Sequence, residues 1–128
     1  MLGHPFTLTG KVQRGKHVGR TMGYPTANLY FPKGCLIPAY GVYAVHVRIG
    51  NYTHEGITNI GVRPTFADGD QVTCETYLLN YDGDLYRKTL RVSFLRYLRE
   101  ERQFESVEEL TAQIEQDLQH AQMYFKEI

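Results

Sequence analysis

The hydrophobic period along this chain predicts a mainly β fold: an antiparallel barrel or sandwich with a C-terminal amphipathic α-helix. Two observations carry that reading. Short alternating runs rich in β-branched and aromatic residues fill the first three quarters and are separated by turn signals. The last quarter switches to an apolar repeat of three and four residues.

Taken in order, residues 6–13 read as the first strand. Pro25 has a fixed φ and biases Tyr24 toward extended geometry, so Thr26 and Asn28 are expected on an extended segment, pointing the same way. Residues 41–49 alternate clearly, with Tyr43, Val45, Val47 and Ile49 on one face. Gly50-Asn51 is a hairpin signal into a strand over 52–60. A further strand is expected over 72–79, and Asp82-Gly83 turns the chain into another over 86–94. Val107, Leu110, Ile114, Leu118, Ala121 and Phe125 then mark one stripe of a helix over 106–126. Ser106 and Glu109 form a capping box at its start, and Glu108 and Glu109 complement the positive end of its dipole.

A length of 128 residues suits a single domain, taken here as 1–128, with 1–5 linker-like. Fourteen basic residues balance fourteen acidic ones. That argues against a general nucleic-acid or membrane-surface binder, which needs a basic excess, so any phosphate binding must arise from local arrangement. No apolar run approaches the roughly 20 residues of a membrane span, and the N-terminus does not read as a signal peptide. Cys35 and Cys74 lack metal-ligand spacing and are expected as free thiols in a reducing compartment, the cytoplasm. His4, His17, His46, His54 and His120 form no zinc-type pair. No Gly-x-Ser-x-Gly elbow is present for a hydrolase.

The chemistry-bearing stretch runs from Gly10 to Asn28. Four glycines within fourteen residues (Gly10, Gly15, Gly19, Gly23) allow sharp turns and offer backbone N–H groups to an anion, with Arg20 nearby to neutralise charge. Thr26 and Asn28, two apart on an extended segment, would present neutral oxygens suited to Mg²⁺ beside such a loop. An ordinary surface loop gives the same composition. A P-loop does not fit: Gly10-x4-Gly15-Lys16 is followed by His17 where Ser or Thr would hold the metal, and no amphipathic helix follows. Glu75, mid-strand beside Thr73 and Tyr77, runs against β propensity; such a conflict marks either a solvated outer face or a functional carboxylate.

As a whole, the glycine-punctuated basic run ending in Pro25-Thr26-Ala27-Asn28 resembles the signature of the riboflavin kinase family. The likeness continues at Cys74-Glu75-Thr76-Tyr77-Leu78, at Asp84-Leu85-Tyr86, and at Leu98-Arg99-x-Glu101-x-x-Phe104-x-Ser106, and covers about residues 6–125. It implies a six-stranded antiparallel Greek-key barrel with a C-terminal helix. It also implies ATP and riboflavin as substrates, Mg²⁺ or another divalent cation as cofactor, and FMN and ADP as products.

The resemblance assigns the general base to Glu75 and nucleotide contacts to Gly15, Gly19, Arg20, Gly23, Thr26, Asn28, Leu78 and Tyr86. Thr26 and Asn28 take the metal. Arg99, Arg102 and Phe104 belong to a segment that closes over the flavin. Leu78 and Tyr86 also read as plain core, the 98–104 charge run as a solvated loop, and Phe104 as an anchor for the helix. Glu100 stands where the family often has proline or aspartate. The opening Leu2-Gly3-His4-Pro5 resembles the linker before the kinase domain of bacterial bifunctional riboflavin kinase/FAD synthetases, which implies an upstream nucleotidyltransferase domain. Two non-catalytic readings compete with the kinase: a nucleotide-binding barrel module, and a flavin carrier that has lost catalysis.

Overall fold

Alternation converts directly into a barrel with two unlike faces. The computed structural model describes residues 6–12, 26–31, 38–65, 69–79, 81, 85 and 87–127. Six strands follow in order: β1 (Phe6–Lys11), β2 (Thr26–Tyr30), β3 (Gly41–Ile49), β4 (Tyr52–Thr65), β5 (Gly69–Leu78) and β6 (Thr89–Arg99). One helix, α1 (Val107–Glu127), closes the described chain. Every pairing is antiparallel, in the spatial order β1-β6-β3-β4-β5-β2. The meander β3-β4-β5 is flanked by β6 beside β3 and β2 beside β5, which is Greek-key topology. Register shifts in the β3–β6 ladder at Val42/Tyr43 and Ala44/Val45 bend the sheet as bulges do. The edge strands β1 and β2 approach one another, with Gly10 against the Leu29 side chain, so the barrel is nearly closed.

The inward residues make one core. Leu8, Leu29, Tyr43, Val45, Val47, Ile60, Cys74, Leu78, Leu90, Val92 and Phe94 are buried together inside the barrel. The outward residues Val42, Ala44, Ile57, Tyr77 and Leu79 make a second, covered by Ile114, Leu118, Ala121 and Phe125 of α1. The apolar stripe of the helix therefore seals one sector of the outer wall and leaves the neighbouring sector open.

Boundaries moved where pairing continued past the local pattern. β4 runs on to Thr65 because β5, starting at Gly69, pairs with it throughout. β6 spans Thr89–Arg99 rather than 86–94 because β1 pairs with 89–94 and β3 carries the pairing on from 91 to 99. Gly50, at φ 59°, makes the β3–β4 turn as expected. The Asp82-Gly83 turn lies outside the described residues. The Ser106 hydroxyl accepts from the Glu109 N–H at 3.2 Å, whereas the Glu109 carboxylate accepts from Glu105 N–H, one residue before the expected arm of the capping box.

Candidate active site

One row of register partners crosses five strands. Asn28 on β2 lies opposite Glu75 on β5, Glu75 opposite Asn59 on β4, Asn59 opposite Val42 on β3, and Val42 opposite Arg99 on β6. At the usual spacing of about 4.8 Å between strands, the row is about 19 Å long. It belongs to the outer face, at the border of the sector that α1 covers.

Glu75 stands at the polar end of this row. The Tyr77 hydroxyl, two residues along on the same face, donates to Glu75 Oε1 at 3.1 Å. Burial, and then the Glu75 charge, push the Tyr77 hydroxyl far above its ordinary range, so it remains a donor at all working pH values. Behind the strand, inside the barrel, the Thr58 hydroxyl lies 3.1 Å from the Glu75 carbonyl, 2.7 Å from the Thr76 hydroxyl and 3.0 Å from the Cys74 thiol. This buried polar knot fixes the backbone that carries Glu75. Burial raises the Cys74 thiol to about 11, which leaves it a framework group rather than a nucleophile.

The polar residue beside Glu75 on one side is Asn28, only 4% exposed. Thr26 is two register positions away along β2, opposite Tyr77. An amide oxygen such as that of Asn28 is a hard donor of the kind divalent cations take, and among the described residues there is no cluster of three or more His, Cys, Asp or Glu that could hold a metal ion. On the other side is Asn59. Its Oδ1 is buried and has no hydrogen-bond partner among the described residues.

Beyond Asn59 the row enters a narrow cleft between the sheet and the segment leading into α1, walled by Val42, Ile57, Tyr77, Arg99, Arg102 and Phe104. Arg99 forks onto the buried carboxylate of Asp117 on α1, with Nε and Nη2 each 2.8 Å from a carboxylate oxygen. Its Nη1 donates to the Glu100 carbonyl. Gln113 bridges the same Asp117 to Arg102. The two guanidiniums stand 5.9 and 5.4 Å from the Phe104 ring, which joins them in one cation–π assembly. The Glu101 carboxylate lies over Gly61, where a Cβ would otherwise sit; burial raises its carboxyl above the ordinary range while Arg99 opposes the shift.

Of the residues singled out in the sequence, Asn28, Glu75 and Arg99 therefore fall in one row of the outer wall, Arg102 and Phe104 border the cleft at its end, and Thr26 stands on β2 opposite Tyr77. Leu78 is not on this wall. Alternation turns it inward, where it is 1% exposed in the barrel core, so only its main chain is available to an outer-face ligand. Gly15, Gly19, Arg20, Gly23 and Tyr86 lie outside the described residues.

The residues that sequence reasoning missed are Asn59, Tyr77, Gln113 and Asp117. Asp117 left a signal, an acidic residue on the border of an apolar helical stripe. Asn59 left none, since a polar residue facing outward from a strand is ordinary.

Comparison with known proteins agrees with this geometry. The family model described as Flavokinase: Riboflavin kinase matches residues 2–125. A bifunctional riboflavin kinase/FMN adenylyltransferase from Listeria monocytogenes is 38% identical over all of this chain, and the match covers 41% of that protein. The corresponding Escherichia coli protein is 41% identical over 98% of this chain and 40% of its own length. The chain thus spans about two fifths of the curated relatives it matches. Among solved structures, riboflavin kinase from Trypanosoma brucei superposes with a TM-score of 0.65 at 25% identity, covering 96% of this chain and 81% of that one. A Streptococcus pneumoniae structure described as a macrolide-efflux protein superposes at 0.82 with 34% identity, over 92% of this chain and 38% of that one. With its family model matched over nearly its whole length and its barrel shared with a solved relative, this chain belongs to the riboflavin kinase family.

Proposed function

We propose that this chain transfers the γ-phosphoryl group of Mg-ATP to the ribityl 5′-hydroxyl of riboflavin, giving FMN and ADP, and that it does so as a single kinase unit working in the cytoplasm. The observation that carries the reading is the five-strand row. It runs from oxygen donors suited to a metal (Asn28), through a carboxylate (Glu75), to an aromatic cleft bordered by arginines (Arg99, Phe104). Those are the groups a flat ring with a polyol tail and a nucleoside triphosphate would meet in that order. The cytoplasmic assignment draws on the free, buried thiol of Cys74 and on substrates of that compartment. No helix among the described residues is long and apolar enough to cross a membrane.

Glu75 accepts the proton of the 5′-hydroxyl as its oxygen bonds to the γ-phosphorus and the bond to the β-bridging oxygen breaks. The Tyr77 hydroxyl donates to one carboxylate oxygen and so orients the carboxylate. Asn28 and Thr26 would hold the divalent cation, which when bound neutralises charge on the phosphate oxygens. The glycines at 15, 19 and 23, with Arg20, would cradle the polyphosphate, and Tyr86 would border the nucleotide. Because each nitrogen of Arg99 already donates to Asp117 or Glu100, its guanidinium is held in place at the flavin end, offering its face and one remaining N–H on each of Nη1 and Nη2.

The direct test incubates the protein with riboflavin, ATP and Mg²⁺ and separates flavins by chromatography. FMN formation dependent on both ATP and metal is the expected result. Flavin or nucleotide binding without FMN would instead make this a binding module.

A further inference from the structure

The kinase reading leaves one atom of the row unexplained. Asn59 Oδ1 is buried in the wall of the cleft and receives no hydrogen bond from the described residues, although buried polar atoms are almost always paired. Leaving it so carries a desolvation cost that packing does not explain. Three features fix what a partner would have to be. The oxygen is an acceptor, so the missing group is a donor. Asn59 is the direct register neighbour of Glu75, about one strand spacing away. Its other neighbour in the row is Val42, an apolar residue of the aromatic cleft that also holds Phe104.

Resting on the kinase reading, we propose that Asn59 is a specificity residue, whose side-chain oxygen accepts a hydrogen bond from a secondary hydroxyl of the ribityl chain. With the 5′-hydroxyl at Glu75 and the tricyclic ring in the cleft beside Arg99 and Phe104, the polyol between them must pass over Asn59. Glu75 then selects the atom that reacts, and Asn59 selects the chain that delivers it. A flavin with an unsubstituted alkyl chain would leave Oδ1 as it stands here, buried and unpaired.

The test compares riboflavin with a flavin bearing a 5-hydroxypentyl chain, which keeps the reacting hydroxyl and lacks the secondary ones. In the wild-type protein kcat/KM favours riboflavin. Asn59→Ala is expected to lower kcat/KM for riboflavin on the order of tenfold while leaving that for the analogue within about twofold, because only riboflavin loses a bond. Asn59→Ser and Asn59→Val are run in parallel, with thermal melts to show which variants fold. Equal losses on both flavins, no loss on riboflavin, or failure of all three variants to fold would each overturn the proposal, the last by making Asn59 a framework residue. Wild-type protein that forms no FMN at all would defeat the kinase reading itself, whereas an active wild type with unselective variants defeats only the role of Asn59.

Discussion

At the scale of single residues, the outer wall of β5 concentrates the chemistry. Glu75→Gln keeps the shape of the side chain and removes the proton acceptor. It should fold normally and bind riboflavin, with kcat reduced roughly 10²- to 10⁴-fold; a variant with wild-type kcat would remove Glu75 from the mechanism. Asn28→Ala and Thr26→Ala should weaken ADP binding in the presence of Mg²⁺ and leave metal-free binding unchanged, as titration calorimetry under both conditions would show. Equal losses with and without metal would give Pro25-Thr26-Ala27-Asn28 a purely structural part. Cys74 gives a control. Its thiol is raised to about 11 because burial disfavours the thiolate. A group whose folded pKa lies above its unfolded value stabilises the fold below the unfolded value, and that contribution is lost as pH rises through the folded one. Stability should therefore be flat through neutral pH and fall between about 9 and 11. In a Cys35→Ser background, a thiol reagent at pH 8 should label Cys74 only after denaturation.

At the scale of elements, the join between α1 and the barrel is electrostatic at the helix midpoint and apolar on either side of it. Asp117 is 1% exposed and forks onto Arg99, so Asp117→Asn leaves a guanidinium with half its partner. The expected loss is about 2 kcal/mol, below the range for a fully buried pair because the Arg99 side chain is 22% exposed. Chemical denaturation measures it, and an unchanged midpoint would show that α1 is held by its apolar stripe alone. Two glycines are fixed by close backbone approach. A Cβ on Gly56 would meet the Tyr77 carbonyl, and one on Gly41, at φ 148°, would meet the Arg99 carbonyl and the Tyr97 ring. Gly41→Ala and Gly56→Ala should each cost more than about 2 kcal/mol, through strain or overpacking, and near-wild-type melting of either would contradict the strand spacing described.

At the scale of the whole molecule, the Asn28 end and the Arg99 end of the row lie on opposite flanks of the β3-β4-β5 meander. Amide exchange should be slowest in those three strands. Mg-ADP should lower it near β2 and residues 15–23, and flavin in residues 99–105; protection appearing at neither segment with both ligands bound would place the active site elsewhere. Much of this was legible beforehand. The alternation of Tyr43, Val45, Val47 and Ile49 and the stripe from Val107 to Phe125 determined strand, helix and their buried faces, because side-chain period and backbone geometry are the same information. The Pro25–Asn28 string and Glu75 stood out as candidates because proline and an in-strand carboxylate conflict with bland local structure. What only the tertiary structure decided was adjacency. Register between distant strands set Asn28, Glu75, Asn59 and Arg99 in one row, and the docking of α1 occupied Arg99 with Asp117. Strand order and the docking of a helix are settled by long-range burial, and no local pattern around Asn59 or Asp117 encodes which residue will stand across from it.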